Sequence, residues 1–191
     1  MANIFLVSDT HFGHVKICEF MRIDGITPLR PWNNVDEMDT ALISNWNSVV
    51  KPNDTVFHLG DVVMNRRHLA TLKLLNGRKK LILGNHDIFE HSDYTQHFIR
   101  LHGSHKLDNL LLSHIPLHPD SVPHWALANV HGHIHAMNID DPLYYNVSVE
   151  NINYTPISLE DLKLQIKIKQ SNYGVDRSIK DTIIEGSNKG E

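Results

Sequence analysis

Asn85, His86 and Asp87 follow the apolar run Leu81-Ile-Leu and a single glycine, with no spacer between them. An amide oxygen, an imidazole and a carboxylate in succession can bind a divalent cation, move a proton, or divide those jobs. The same layout recurs along the chain. Asp9 and His11 come just after Ile4–Val7, Asp61 after the run ending at Leu59-Gly60, His114 after the run ending at Leu112-Ser113, and His133 and His135 after Ala128–Val130. A single such strand end is uninformative. Five of them at one edge of a sheet would line a pocket with nitrogen and oxygen donors and no thiolate.

Each group has a plainer reading. Asp9 and His11 taken alone would be a helix cap or a surface pair, Asp61 a turn residue, and Asn85 a left-handed turn residue. His133 and His135 alternate around Ile134, so an extended backbone points both to one side, as two ligands of one centre require. His131 is in phase with them and is read as structural, and His58, inside a strand, as a hydrogen-bonded core histidine. His14, Arg22, Arg30 and His118 are candidates for contacting an anionic substrate, since arginine suits bidentate phosphate recognition. The alternative for each is a solvated side chain. Trp32 and Trp125 either stack on a base or pack.

The elements that must position these groups are short. Ile4–Val7, Thr55–Leu59, Lys79–Leu83, Lys106–Leu112, Ala128–Val130 and Leu143–Val149 read as strands bounded by turn residues. Val35, Met38, Leu42, Trp46 and Val49 recur at helical steps and predict an amphipathic helix ending at Lys51-Pro52. Val15–Met21, Asn65–Leu75 (capped by Asn65) and Ser92–Leu101 are expected to be helical. Ser158-Leu-Glu-Asp161 is a capping box opening a helix to about Gln170. Residues 24–34, with Gly25, Pro28 and Pro31, form a loop. Open α/β sheets bind ligands beyond the carboxyl ends of their strands, which is where the polar groups above fall. Residues 1–170 are expected to form one domain and 171–191 a polar tail.

At 191 residues, 41% hydrophobic and 21% charged, the chain has the composition of a soluble globular protein. A formal charge of −4 argues against a broad basic face that coats duplex nucleic acid, though bound cations would invert the local potential. The lone Cys18 excludes an intramolecular disulfide framework, so a cytoplasmic protein is expected. No apolar run approaches a membrane span, and no obligate protein partner is evident. Fifteen histidines are the compositional outlier, and they suit transition metals.

Seven candidate ligands (Asp9, His11, Asp61, Asn85, His114, His133 and His135) exceed what one ion needs once positions are left for water and substrate. Two-metal sites stabilise both the attacking and the leaving oxygens of an in-line displacement, which points to phosphoryl transfer to water. The ordered motifs Asp9-x-His11, Gly60-Asp61, Gly84-Asn85-His86-Asp87, His114 and Gly132-His133-x-His135 resemble those of the calcineurin-like metallophosphoesterase superfamily. Ser8–His14, Arg30-Pro31 and Asn45-Trp46-Asn47 are also similar to a small single-domain bacterial and phage subgroup.

The resemblance implies an α/β fold, a four-layer αββα sandwich of two mixed sheets. It implies a first divalent ion on Asp9, His11, Asp61 and His135. A second ion, sharing Asp61, would be held by Asn85, His114 and His133. Mn²⁺ is the expected metal, with Fe, Zn, Co or Ni also compatible. His86 would face the substrate phosphate, Asp87 would orient His86, and a metal-bridging water or hydroxide would attack. The expected substrate is a small phosphomonoester or phosphodiester: a nucleotide, a cyclic nucleotide or a nucleic-acid end. A non-catalytic metal-bound scaffold that recruits a partner protein is the competing class. Intact His86 and Asp87 argue against it.

Overall fold

Strand periodicity builds the molecule in layers. In the computed structural model, which describes residues 2–175, β1 (Ile4–Val7), β2 (Thr55–His58), β3 (Arg78–Ile82) and β4 (Arg100–His102) run parallel. The short β9 (Ile157–Ser158) pairs antiparallel with β1, giving the order β4-β3-β2-β1-β9. A second sheet, β5-β6-β7-β8, is made of β5 (Ser104–Leu107), β6 (Leu110–Ser113), β7 (Ala128–His131) and β8 (Tyr144–Asn146). It too is mixed, with β5 antiparallel to β6 and the rest parallel.

Successive strand residues point to opposite faces, and the core divides accordingly. Leu6, Phe57 and Ile82 meet Leu110, Leu112 and Val130 between the two sheets. Their neighbours Phe5, Val7, Val56 and Leu81 face the other way, against Met38, Leu42 and Trp46 of helix α1 (Val35–Val49). These helix residues are buried, each contributing roughly 1.5–3 kcal/mol. Helix α1 begins where Asn34 Oδ1 accepts the Glu37 N–H at 2.9 Å, with Asp36 and Glu37 in the first turn. Helix α3 (Leu159–Asn172) begins on the expected cap, Ser158 Oγ accepting the Asp161 N–H at 3.0 Å, and buries Leu162 and Ile166 between the sheets' edges. The outer face of the second sheet is covered by an irregular segment carrying Val122 and Ala126.

Several local expectations give way. Ser92–Leu101 is not one helix: a single turn, α2 (His91–Tyr94), is followed by β4. Backbone pairing of Lys80, Leu81 and Ile82 with Arg100, Leu101 and His102 outweighs helix propensity there. Lys106–Leu112 is not one strand but a hairpin between β5 and β6, turning at Asp108 in a left-handed conformation (φ 52°). Arg66–Leu74 is a 3-10 helix, and the Asn65 side chain does not cap it: Nδ2 donates to the Gly13 carbonyl instead. Val15–Glu19 is also 3-10. Helix α3 runs past the expected boundary to Asn172, and residues 176–191 of the expected tail lie outside the described residues. No helix among the described residues is long and apolar enough to cross a membrane.

Candidate metal centre

The carboxyl ends of the two sheets are sewn together where the candidate ligands emerge. Between the sheets, Ser8 N–H donates to the Val147 carbonyl (2.9 Å) and Val149 N–H to the Ser8 carbonyl (3.1 Å), while Asp9 N–H to Gly60 (3.0 Å) and Gly132 N–H to His114 (2.9 Å) extend the pairing within each sheet. At this seam the backbone leaves ordinary conformations. Asp9, His11, Asp61, His133 and His135 all have positive φ, between 47° and 71°, and they are five of the eight non-glycine residues so placed among those described. Such backbone costs of order 1–3 kcal/mol per residue and persists only where the surroundings over-determine it.

Glycine makes the close approach at the seam feasible. A Cβ on Gly132 would lie 2.0 Å from Ser8 Oγ and 2.3 Å from Asp9 Oδ2, so no side chain fits unless both Ser8 and Asp9 move. Gly132→Ala is therefore expected to lower stability by about 1–3 kcal/mol, a shift of several degrees in Tm. An unchanged melting curve together with unchanged metal content would show that Ser8 and Asp9 give way freely.

The ligand atoms converge in two overlapping groups: Asp9, His11 and His135, and Asp9, Asp61 and His114, each with its ligand atoms within 4.8 Å of one another. Asp61 Oδ2 stands between them, 3.6 Å from His11 Nε2 and 3.5 Å from His114 Nε2, while Oδ1 accepts the His86 N–H at 2.9 Å. Asp9 Oδ2 accepts from Ser148 Oγ and from His133 N–H, both at 2.9 Å. Asp9 Oδ1 and both ring nitrogens of His11 are buried without any hydrogen-bond partner. Unpaired buried polar atoms are costly, and here Asp9 Oδ1 and His11 Nε2 lie 3.8 Å apart.

His114 makes the demand for a cation explicit. Its Nδ1 lies 2.7 Å from the Leu59 carbonyl and must donate, because a carbonyl only accepts. In the neutral imidazole that leaves Nε2 as a lone pair 2.9 Å from Asn85 Oδ1, which also lies 2.9 Å from His133 Nδ1. Two acceptors at that separation need a proton or a cation between them.

The electrostatics agree. Burial pushes the Asp9 carboxyl up and holds His11 well below its usual range, as a neutral ligand. Burial would also raise Asp61, but His114 and His11 outweigh it and hold Asp61 at about 2. For His114, burial is outweighed by Asp61 and Asp9, and for His135 by Glu150, so both imidazoles are drawn toward the charged form. Protons and a divalent cation would compete for these positions. The donor set, the orphaned atoms and the glycine cradle all fit divalent metal.

His86 is exposed at the mouth, its ring edge-on to His11 with centroids 5.5 Å apart. Asp87 does not hold it. The Asp87 carboxylate accepts backbone N–H bonds from Asp61 (2.8 Å), Val62 (3.0 Å) and Gly84 (2.8 Å), so it ties the β2 and β3 loops together and does not orient the imidazole. Arg30 is no substrate contact either. It is 0% exposed, with Nε 2.8 Å from Glu150 Oε1 and a terminal nitrogen 2.6 Å from the Asp9 carbonyl. A guanidinium fully buried and bonded to interior acceptors is out of reach of a ligand at the surface.

His14 lies beside the centre, edge-on to His11 and to Phe20, both 5.7 Å away, and its Nδ1 accepts the Ile17 N–H. His118 is exposed, and its ring pairs with Asp120, not with a candidate ligand. His58 is a core residue as expected, 2.9 Å from Thr10 Oγ1 and pushed by burial to about 3. His131 is buried with Nδ1 2.9 Å from the Gly132 carbonyl, and burial pushes it down to about 4. Sequence reasoning missed Ser148 and Glu150. The available signal was a carboxylate two residues beyond a serine in the otherwise apolar Val147–Val149 segment.

The chain resembles known proteins along nearly its whole length. It is 36% identical over 178 residues to an uncharacterized protein of Methanocaldococcus jannaschii, covering 84% of this chain and 89% of that one. The gene 66 proteins of mycobacteriophages L5 and D29 are 31% and 33% identical over 171 residues, each covering 71% of this chain and 79% and 80% of theirs. A crystal structure of an Aquifex aeolicus protein of unknown function superposes with a TM-score of 0.67 at 26% identity, covering 86% of this chain and all of that one. The family model described as calcineurin-like phosphoesterase matches residues 2–184. Two mixed sheets joined at a seam of buried carboxylates and imidazoles, together with this match, establish that the chain belongs to the calcineurin-like phosphoesterase family.

Proposed function

We propose that this chain hydrolyses phosphomonoesters or phosphodiesters with two divalent ions, Mn²⁺ foremost, by in-line attack of water. The observation that carries the reading is the facing of His114 Nε2, Asn85 Oδ1 and His133 Nδ1 at 2.9 Å separations, with Asp61 Oδ2 reaching toward both halves of the cluster. When bound, the ions supply Lewis-acid stabilisation of the phosphoryl oxygens and lower the pKa of coordinated water.

The chain's own residues do the rest. Asp9, His11 and His135 hold one ion, Asn85, His114 and His133 the other, and Asp61 serves both. His86 stands at the solvent side and would stabilise charge on the phosphoryl group or protonate the leaving oxygen. Its main-chain N–H is fixed on Asp61 Oδ1, which sets where the imidazole begins. Asp87 keeps that loop closed through three backbone bonds. His14 flanks the same side. A nucleotide, a cyclic nucleotide or a nucleic-acid end suits a mouth bordered by the loops around His14 and His86.

A metal-by-substrate screen tests this: apo protein reloaded with Mn²⁺, Fe²⁺, Zn²⁺, Co²⁺ or Ni²⁺, against aryl phosphates, nucleotides, cyclic nucleotides and short single strands. Chelator-sensitive turnover, highest with Mn²⁺, is expected. Metal bound with no turnover on any substrate would favour the scaffold.

A further inference from the structure

The buried pair Arg30–Glu150 lies among the candidate ligands yet serves none of the proposed chemistry directly. Both side chains are 0% exposed, and they join segments 120 residues apart. Glu150 Oε1 accepts twice, from Arg30 Nε at 2.8 Å and from His135 Nδ1 at 3.1 Å. The Arg30 nitrogens that Glu150 does not use reach the carbonyls of Asp9 (2.6 Å) and Thr10 (3.4 Å), on the segment that carries Asp9 and His11 in their left-handed conformations. Asn151 and Asn146 side-chain amides both donate to the His135 carbonyl. Asp9 is thus fixed at its carbonyl and His135 at ring and carbonyl from one side, and His11 follows the Thr10 carbonyl that Arg30 also reaches. Asn85, His114 and His133 have no hydrogen bond to this pair among those of the described residues.

We propose that Glu150, anchored by Arg30, is a positioning residue for one of the two metal ions: its carboxylate accepts a hydrogen bond from His135 Nδ1–H, which keeps the proton on Nδ1 and leaves Nε2 free as the ligand atom. A carboxylate behind a ligating imidazole fixes its tautomer and orientation and raises its basicity. Arg30 performs the matching task for the Asp9–His11 segment, so one ion pair aligns ligands delivered by two different sheets. The inference rests on the two-metal reading above.

The test is equilibrium binding of Mn²⁺ to the apo protein, with free ion read by electron paramagnetic resonance. Wild type should bind two ions. Glu150→Gln keeps the size and one acceptor oxygen but loses the charge, and it should weaken one ion by about 10–100-fold while leaving the other as in wild type. His135→Ala should weaken the same ion, and the double variant should lose far less than the sum of the two single losses. That non-additivity is the signature of action through His135, which a general packing defect would not give. Unchanged binding in Glu150→Gln, additive losses, or equal weakening of both ions overturns the proposal.

If Glu150→Gln does not fold, ¹⁵N spectra of the Zn²⁺-loaded wild type decide. A proton on His135 Nδ1 is expected, and a proton on Nε2 overturns the proposal. A wild type that binds a single ion removes the two-metal reading but leaves the effect of Glu150 on that ion measurable. A wild type that binds none overturns both.

Discussion

Asp61→Ala is expected to lower kcat/KM for any phosphoester the wild type accepts by about 10³-fold or more. Metal-derived stabilisation of transition-state charge amounts to several kcal/mol, and each 1.36 kcal/mol is a factor of ten. Asp61 has this leverage because its Oδ2 is the carboxylate atom that stands close to both His11 and His114, at 3.6 and 3.5 Å. It is also ionised throughout the neutral range, since its neighbours hold it at about 2. Metal content measured beside turnover should fall in parallel. Asp61→Asn separates charge from shape: its amide oxygen can still accept the His86 N–H, so the loop persists while the charge is gone. Turnover in Asp61→Ala comparable to wild type would defeat the assignment of this seam as the reactive centre.

His86→Ala is expected to reduce kcat by about 10²–10⁴-fold, the range for loss of a positioned proton-transfer group, with metal content unchanged. The main-chain N–H that fixes Asp61 Oδ1 survives the substitution, and the His86 ring makes no hydrogen bond to a ligand among the described residues. The pair of readouts matters. Loss of metal along with activity would show that His86 supports the ligand set, and full activity would remove it from the chemistry. Because Asp87 bonds backbone and not imidazole, Asp87 variants should perturb the loop before they perturb proton transfer.

That the candidate ligands gather at one seam was legible from sequence because strand ends carry local signals: an apolar run, then a polar group, with a glycine between them at Gly60, Gly84 and Gly132. β1, β2 and β3 lie close to where their hydrophobic runs place them, and α1 follows its stripe from Val35 to Val49. The failures come from non-local pairing. Arg100–His102 is a strand because β3 offers it an edge, and Ser104–Ser113 folds back because its two halves bond each other, neither of which a propensity records. Arg30 illustrates the same gap at the site. Its side chain suits phosphate, but its partner Glu150 lies 120 residues away, and only the tertiary structure shows that the guanidinium is buried and bonded to interior acceptors. Asp87 departs from expectation for a similar reason, since adjacency to His86 in sequence does not bring the two side chains together in space.

The left-handed backbone at Asp9, His11, Asp61, His133 and His135 sets folding and chemistry against each other at the same positions. Glycine is the residue that conformation prefers, and an imidazole or carboxylate is the residue a cation requires. Drift toward stability at these five sites therefore runs toward inactivity, and stabilising substitutions compatible with activity must be sought elsewhere in the fold. The candidate ligands follow strands whose inward residues, among them Leu6, Phe57, Ile82 and Val130, are buried between the sheets. A framework of short, deeply buried strands is thus what permits so much unfavourable backbone to be gathered at one edge.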